Sequence, residues 1–369
     1  MRLVITGGGT GGHTSPAVAV YEELLRRDPH LSVLWIGRED AIEHRICTRL
    51  GIPFRALPVE GWPRKKILRR AIVAAKLVWS MLRAWVYLRN FAPDVVFGVG
   101  GYVSLPAMYL APRMGIETVL HEQNRLMGVT NRIAAQRAHK IFLSFSETVG
   151  AYPKERAKVV GNPVRAAFAS PPSRAEACER FSLDPLRPVV LVCGGSQGAR
   201  SINDAVAGML PLLHPDEFQI VWMTGNADAP RAREATRSAP APTQVHAFID
   251  DMAAACAAAD IIVTRSGAST TAEIAMMHKP SILIPYPHAT DNHQEHNAKA
   301  FVEAGASVLL LDASLTSDTL LQELRRLLSD SERLDSMEVA AGALAKPDAA
   351  DVIANEILSV AFEKDFSNA

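Results

Sequence analysis

Cysteine is scarce in this chain of 369 residues: Cys47, Cys178, Cys193 and Cys256 are scattered, with no Cys-x-x-Cys pair. Neither a disulfide framework nor a zinc site is expected, and the thiols read as reduced core residues of a cytosolic protein. Long apolar runs are missing too. No stretch of about 18 uncharged apolar residues occurs, so no segment is expected to span a bilayer. The opening Arg2-Leu-Val-Ile-Thr6 is a short strand pattern without the apolar segment and cleavage site of a secretory signal. With 48% apolar and 21% charged residues, disorder and fibrous structure are excluded. The chain also lacks net charge, 39 Lys and Arg standing against 39 Asp and Glu, but the balance is uneven along it. Residues 1 to 160 hold 23 basic and 12 acidic side chains, the rest 16 and 27. A basic half suggests an anionic partner, whether a membrane surface, a nucleic acid or a phosphorylated substrate.

What is abundant is glycine in turns that follow apolar runs: Gly7-Gly8-Gly9-Thr10-Gly11-Gly12-His13, Gly98-Val99-Gly100-Gly101-Tyr102-Val103-Ser104 and Gly194-Gly195-Ser196-Gln197-Gly198-Ala199-Arg200. Such a turn between strand and helix lets a ligand approach the backbone and aims N–H groups at an anion. Three of them suggest at least one pyrophosphate. The length favours two domains. Strand and helix patterns alternate throughout, which predicts an α/β fold with parallel sheets. Strands are expected at 2–6, 32–36, 95–97, 118–121, 140–143 and 158–160, with a helix over 16–27. Gly161-Asn162-Pro163 and Pro171-Pro172 then break the pattern, placing a domain boundary near residue 163. Beyond it, strands are expected at 188–193, 219–223, 244–247, 261–264, 281–284 and 307–311, and a final amphipathic helix over 348–362. Doubly wound sheets bind ligands at the carboxyl ends of their strands, where all three turns fall.

The first turn fits Gly-x-Gly-x-x-Gly, but the second strand ends in Ile36-Gly37-Arg38 and Glu39 and Asp40 come late for a ribose carboxylate, which weakens a nicotinamide reading. His13 is expected at a helix N-terminus, as a cap or as a group facing the crevice. Arg165 suits a phosphate or an ion pair between domains. Arg265-Ser266-Gly267-Ala268-Ser269-Thr270-Thr271-Ala272-Glu273 opens a helix after an apolar strand, with Glu273 expected in its first turn as a cap or a ribose ligand. The row Asp291 to Asn297 suits sugar hydroxyls better than a metal, because no outside ligand completes a metal set. Five of the seven residues 64 to 70 are basic, and the helix that follows to residue 88 carries Trp79 and Trp85. That combination reads as a helix docking on an anionic membrane, or as a core helix with a solvated basic edge.

Six ordered motifs carry a resemblance: Gly-Gly-Thr-Gly-Gly-His at 8–13, Gly-Gly-Tyr-Val-Ser at 100–104, His-Glu-Gln-Asn at 121–124, Gly-Asn-Pro-Val-Arg at 161–165, Gly-Gly-Ser-Gln-Gly-Ala at 194–199 and Arg-Ser-Gly-Ala at 265–268. Almost end to end, the chain resembles the MurG family, the undecaprenyl-pyrophosphoryl-muramoyl-pentapeptide N-acetylglucosaminyltransferases of bacterial peptidoglycan synthesis. The resemblance implies a GT-B fold, two Rossmann-like doubly wound parallel-sheet domains facing across a cleft. Residues 1–163 plus a C-terminal helix at about 346–369 would form the acceptor and membrane-associating domain, and 164–345 the UDP-sugar domain. It implies inverting transfer of N-acetylglucosamine from UDP-N-acetylglucosamine to the 4-hydroxyl of the muramoyl residue of lipid I, giving lipid II. It also implies a peripheral location on the cytoplasmic face of the cell membrane, through the basic helix 64–88, and no nucleic-acid partner.

Donor contacts implied position by position are Thr10, Gly11, Gly12, Asn124, Arg165, Ser196, Ile249, Ala268, Ser269, Thr270, Thr271, Ala272, Glu273 and Gln294, with Glu273 on the ribose and Ile249 lining the uracil pocket. Gly9, Gly100, Gly101 and Tyr102 would face the acceptor pyrophosphate. Inversion needs a base on the acceptor hydroxyl and a sink for the leaving diphosphate. His13 is the first choice for the base and Glu122 the rival. Helix N-terminal amides and Arg165 would take the leaving charge, in keeping with the absence of an Asp-x-Asp motif, so no metal or other cofactor is called for. His293, a longer loop before it, and Leu105 depart from the family pattern and bear on the sugar contacts. A sugar-nucleotide epimerase of the same fold and a two-lobed binding protein are the competing readings.

Overall fold

The computed structural model describes residues 1–9, 11–61, 67–237, 239–289 and 292–367. Thr10, Arg64, Lys65, Lys66 and Asp291, singled out above, lie outside the described residues. The chain divides into two compact units, Met1–Arg165 with Lys346–Ala369, and Ala166–Ala345.

Unit 1 contains strands β1 (Arg2–Thr6), β2 (Ser32–Gly37), β3 (Phe54–Ala56), β4 (Val95–Gly98), β5 (Glu117–Glu122), β6 (Lys140–Leu143) and β7 (Ala157–Val159). Between them run helices α1 (Gly11–Arg27), α2 (Ile42–Leu50), α3 (Ile67–Phe91), α4 (Leu105–Leu110) and α5 (Val129–Ala135). The seven strands form one parallel sheet in the order β3-β2-β1-β4-β5-β6-β7. Helices cover both faces, so the strands are apolar on both sides rather than alternating. Within β1, Leu3 and Ile5 join a core with Ala17 and Leu24 of α1, while Val4 faces a second core with Ala84 and Leu88 of α3. The three-residue edge strand β3 was not expected from its sequence, in which an exposed Arg55 interrupts the apolar signal.

Unit 2 begins with α6 (Ala166–Ala169) and α7 (Arg174–Arg180), followed by β8 (Val189–Cys193), α8 (Arg200–Met209), β9 (Gln219–Met223), α9 (Ala229–Thr236), β10 (Thr243–His246) and α10 (Met252–Ala258). It continues with β11 (Ile261–Thr264), α11 (Ala268–Met276), β12 (Ser281–Leu283), α12 (His293–Glu303), β13 (Ser307–Leu309), α13 (Ser317–Leu328) and α14 (Ser331–Leu344). Its parallel sheet has the order β10-β9-β8-β11-β12-β13. The last helix, α15 (Ala349–Ser367), belongs to unit 1: Ile353, Ala354 and Ile357 are fully buried in the Leu3, Ala17 and Trp35 core, and Arg27 of α1 pairs with Asp351. Each buried isoleucine contributes about 2 kcal/mol toward holding α15 there.

Two helix starts differ from expectation. α1 begins at Gly11 rather than Pro16, because the glycines themselves wind into the first turn. α11 begins at Ala268, so Glu273 is its sixth residue and lies in the second turn, out of reach of a capping role. Arg69–Phe91 is long and apolar enough to cross a membrane by length and composition, with a mean hydropathy of 1.4, although basic residues interrupt its apolar runs. Its Val73, Ser80, Ala84 and Leu88 are nonetheless buried, which makes it a packed element of unit 1 with one outward face.

Candidate active site

In each sheet the strand order reverses once, and both reversals are lined by glycine loops. In unit 1 the reversal lies between β1 and β4. The loops leaving these strands meet backbone to backbone: the Gly8 N–H donates to the Gly100 carbonyl at 3.3 Å, and a Cβ on Gly101 would stand 2.4 Å from the Gly8 oxygen. Only glycine permits this approach. Beneath the turn sits the buried carboxylate of Glu43, which accepts from the Gly9 N–H at 2.9 Å and the Arg38 N–H at 3.0 Å. The Gly9 N–H is therefore engaged inward, and what the turn offers an anion is the positive end of α1.

His13 is the third residue of α1. Its Nδ1 lies 2.9 Å from Gln123 Oε1, and Gln123 Nε2 lies 3.0 Å from Nδ1 of His121 and 3.2 Å from the His121 main-chain oxygen. His121 Nε2 in turn donates to the Gly161 carbonyl at 3.1 Å. Burial pushes His121 down to about 4, against the bond to Gly161 that favours the charged form, with nearby His13 lowering it further; the ring is neutral near pH 7. Glu122, at the end of β5, is 1% exposed. One of its oxygens accepts from Asn124 N at 2.9 Å and Asn124 Nδ2 at 3.2 Å, the other from Gly128 N at 3.0 Å and Asn131 Nδ2 at 2.9 Å. Asn131 and His13 flank Gly100, where an added Cβ would come within 3.2 Å of Asn131 and 3.3 Å of His13.

In unit 2 the reversal lies between β8 and β11. The loop after β8 packs on the one after β9, where a Cβ on Gly198 would stand 1.9 Å from the Thr224 oxygen; Gly198 also has φ +76°. Ser196 and Gln197 are exposed at its tip. After β11, Gly267 is the N-cap of α11 and brings no side chain of its own, and the positive end of such a helix favours an anion. Glu273 is half-buried beside the end of β8, where its charge adds to the burial that pushes the Cys193 thiol up to about 11. Gln294, on α12, is tied to the same corner. Its main-chain oxygen accepts from Ser266 Oγ at 2.7 Å, and its side-chain oxygen accepts from the Tyr286 N–H at 2.9 Å. Arg265 is a structural cation, donating to the Ile284 and Pro285 carbonyls at 3.1 and 3.0 Å, to Asp312 at 2.5 Å and to Ser201 at 2.8 Å.

Residues 3–143 match the glycosyltransferase family 28 N-terminal domain, and residues 189–353 match the family's C-terminal domain. The UDP-N-acetylglucosamine–N-acetylmuramyl-(pentapeptide) pyrophosphoryl-undecaprenol N-acetylglucosamine transferase of Halalkalibacterium halodurans is 39% identical over 353 residues, 95% of this chain and 97% of the relative. The enzyme of the same name from Syntrophus aciditrophicus is 40% identical over 363 residues, 98% of this chain and 99% of the relative. The chain belongs to the MurG family of glycosyltransferase family 28. The crystal structure of Acinetobacter baumannii MurG has the same fold, with a TM-score of 0.78 at 28% identity over 97% of this chain and 99% of that one. A UDP-GlcNAc 2-epimerase from Neisseria meningitidis bound to UDP-GlcNAc shares the architecture alone, with a TM-score of 0.65 at 15% identity over 97% of this chain and 100% of that one.

In this MurG-family chain the site residues expected from sequence fall into two groups. Gly9, Gly11, Gly12, His13, Gly100, Gly101, Glu122 and Asn124 gather at the unit 1 reversal. Tyr102 is exposed just beyond it, against Gly61, and Arg165 closes unit 1 near Glu22. Ser196, Ala268, Ser269, Thr270, Thr271, Ala272, Glu273 and Gln294 belong to the unit 2 reversal, and Ile249 is buried in the loop after β10. Sequence reasoning missed Glu43, Gln123 and Asn131. Gln123 stood inside a quoted motif and was legible; Glu43 and Asn131 lie in ordinary helical sequence and carry no local signal.

Proposed function

We infer that this MurG-family chain transfers N-acetylglucosamine from UDP-N-acetylglucosamine to the 4-hydroxyl of the muramoyl residue of a pyrophosphoryl-undecaprenol-linked acceptor, lipid I, forming lipid II. Unit 2 binds the donor. Glu273 accepts the ribose hydroxyls, the α11 N-terminus and Ser196 face the diphosphate, Ile249 lines the uracil pocket and Gln294 meets the sugar. Unit 1 presents the acceptor, with its pyrophosphate at the α1 end and the Gly100-Gly101 turn. His13 takes the proton of the acceptor hydroxyl as that oxygen bonds to the anomeric carbon. The anomeric carbon–oxygen bond to UDP breaks with inversion, and helix amides with Arg165 stabilise the departing charge.

The observation that carries this reading is the division of labour between two sheet reversals. One has an imidazole at a helix start, the other a carboxylate in the second turn of a helix that opens on glycine. His13 is favoured over Glu122 because Glu122 is buried with both oxygens occupied by four N–H donors. We further assign α3 to an anionic membrane surface on the cytoplasmic side. Its outward face exposes Ile72, Val78, Trp79, Leu82, Trp85 and Val86, with Arg69, Arg70 and Arg89 also exposed.

Incubation of the purified protein with radiolabelled UDP-N-acetylglucosamine and a lipid I analogue tests the reading. Label in the lipid product is the expected result. Release of UDP with a 2-epimer would point to an epimerase, and no turnover of either kind to a binding protein.

A further inference from the structure

We infer that Gln123 and His121 are positioning residues that hold His13 in its Nδ1–H tautomer, leaving Nε2 as the ring's proton acceptor. The direction of each hydrogen bond follows from the fixed end of the relay. The Gly161 carbonyl can only accept, so the hydrogen of the neutral His121 ring is on Nε2, 3.1 Å away, and Nδ1 carries a lone pair. That lone pair faces a Gln123 terminal atom at 3.0 Å, which must therefore be the amide nitrogen. The His121 main-chain oxygen, 3.2 Å from the same atom, requires the identical orientation, because two oxygens would repel there. With the amide so fixed, Oε1 points at His13 Nδ1 over 2.9 Å and accepts its hydrogen. A neutral imidazole holding its hydrogen on Nδ1 has its lone pair on Nε2.

The relay is well insulated. His121 and Gln123 are 0% and 1% exposed, and Ser144 Oγ, 3.3 Å from His121 Nε2, adds a second partner at the anchored end. Burial, which lowers the value of His121 to about 4, keeps its ring neutral and so keeps the lone pair on Nδ1. An amide carbonyl is not basic, so a proton gained at His13 Nε2 stays on that ring and does not pass inward. A neutral side chain thus does here what a carboxylate does in a Ser-His-Asp triad, fixing tautomer and ring direction without adding a negative charge near an incoming pyrophosphate.

The catalytic consequence rests on the assignment of His13 as base; the tautomer does not. The test is a ¹⁵N–¹H correlation spectrum of the full chain labelled with ¹⁵N-histidine, His13→Ala serving to assign the His13 signals, together with steady-state kinetics of Gln123→Met. The wild-type spectrum is expected to show His13 as the single Nδ1–H tautomer, and Gln123→Met to shift it to a mixture with Nε2–H. In that variant kcat should drop about tenfold while KM for UDP-N-acetylglucosamine stays within about twofold. A wild-type His13 with its hydrogen on Nε2, or a Gln123→Met enzyme with unchanged tautomer and kcat, overturns the inference. A normal rate in His13→Ala would instead remove His13 as base and leave the tautomer result standing.

Discussion

Two carboxylates and two histidines crowd the unit 1 reversal, and their hydrogen bonds assign them different work. Glu122 and Glu43 accept from main-chain or amide N–H groups and shape loops, whereas among the described residues His13 Nε2 has no hydrogen-bond partner. Replacing Glu122 by alanine removes the shared acceptor of four N–H groups, one of them on buried Asn131, so the variant should lose roughly 2 kcal/mol of stability in urea denaturation. His13→Ala, which removes one hydrogen bond to Gln123, should cost less, about 1 kcal/mol. Equal stability of the Glu122 variant and the parent would return Glu122 to contention as the base. His121 supplies a pH dependence. Its native value of about 4 lies below the ordinary 6.5, so between these values the unfolded chain binds a proton that the native one excludes. Its contribution is complete above pH 6.5 and is lost as pH falls toward 4. A His121→Gln variant should show a shallower loss of stability over that interval, and parallel curves would contradict the assignment. His13 was legible in the sequence because glycine spacing marks the turn it follows. Glu43, 34 residues from the glycine whose N–H it accepts, was not, since only the folded sheet brings the two together.

At the level of elements, periodicity and turn residues located twelve of the thirteen strands among the described residues, the short edge strand β3 being the exception. Helix starts were harder. Glycines that initiate α1 look like loop in one dimension, and the true start of α11 moves Glu273 from a capping position to one beside the end of β8. α3 illustrates a different limit: its composition fits both a packed helix and a membrane-docking one, and the structure shows a buried face and an exposed apolar face on the same helix. Sedimentation with vesicles containing anionic lipid tests the docking role. Trp79→Ser combined with Trp85→Ser should weaken binding at least about tenfold while activity on a water-soluble acceptor analogue is retained. Unaltered sedimentation of this variant would assign the face elsewhere.

For the molecule as a whole, α15 changes the arithmetic of charge. Assigned to unit 1, it leaves that unit with 26 Lys and Arg against 17 Asp and Glu, and unit 2 with 13 against 22. The division read from sequence survives, slightly softened. α15 also closes one face of the unit 1 core, so an aspartate in place of Ile357 should destabilise that unit by about 3 kcal/mol or more. Hydrogen exchange should quicken in β1, β2 and α1, while β8, β9 and β11 keep their protection. Uniform quickening in both units would show that they unfold together.

The central claim is that the proton is taken in unit 1 and the nucleotide is gripped in unit 2. Steady-state kinetics with UDP-N-acetylglucosamine as the varied substrate address it most directly in His13→Ala and Glu273→Ala. The account predicts that the first lowers kcat by about a hundredfold or more with little change in donor KM, and that the second raises donor KM about tenfold or more. The reverse pattern, a donor defect without loss of kcat in His13→Ala and normal donor KM in Glu273→Ala, would contradict it.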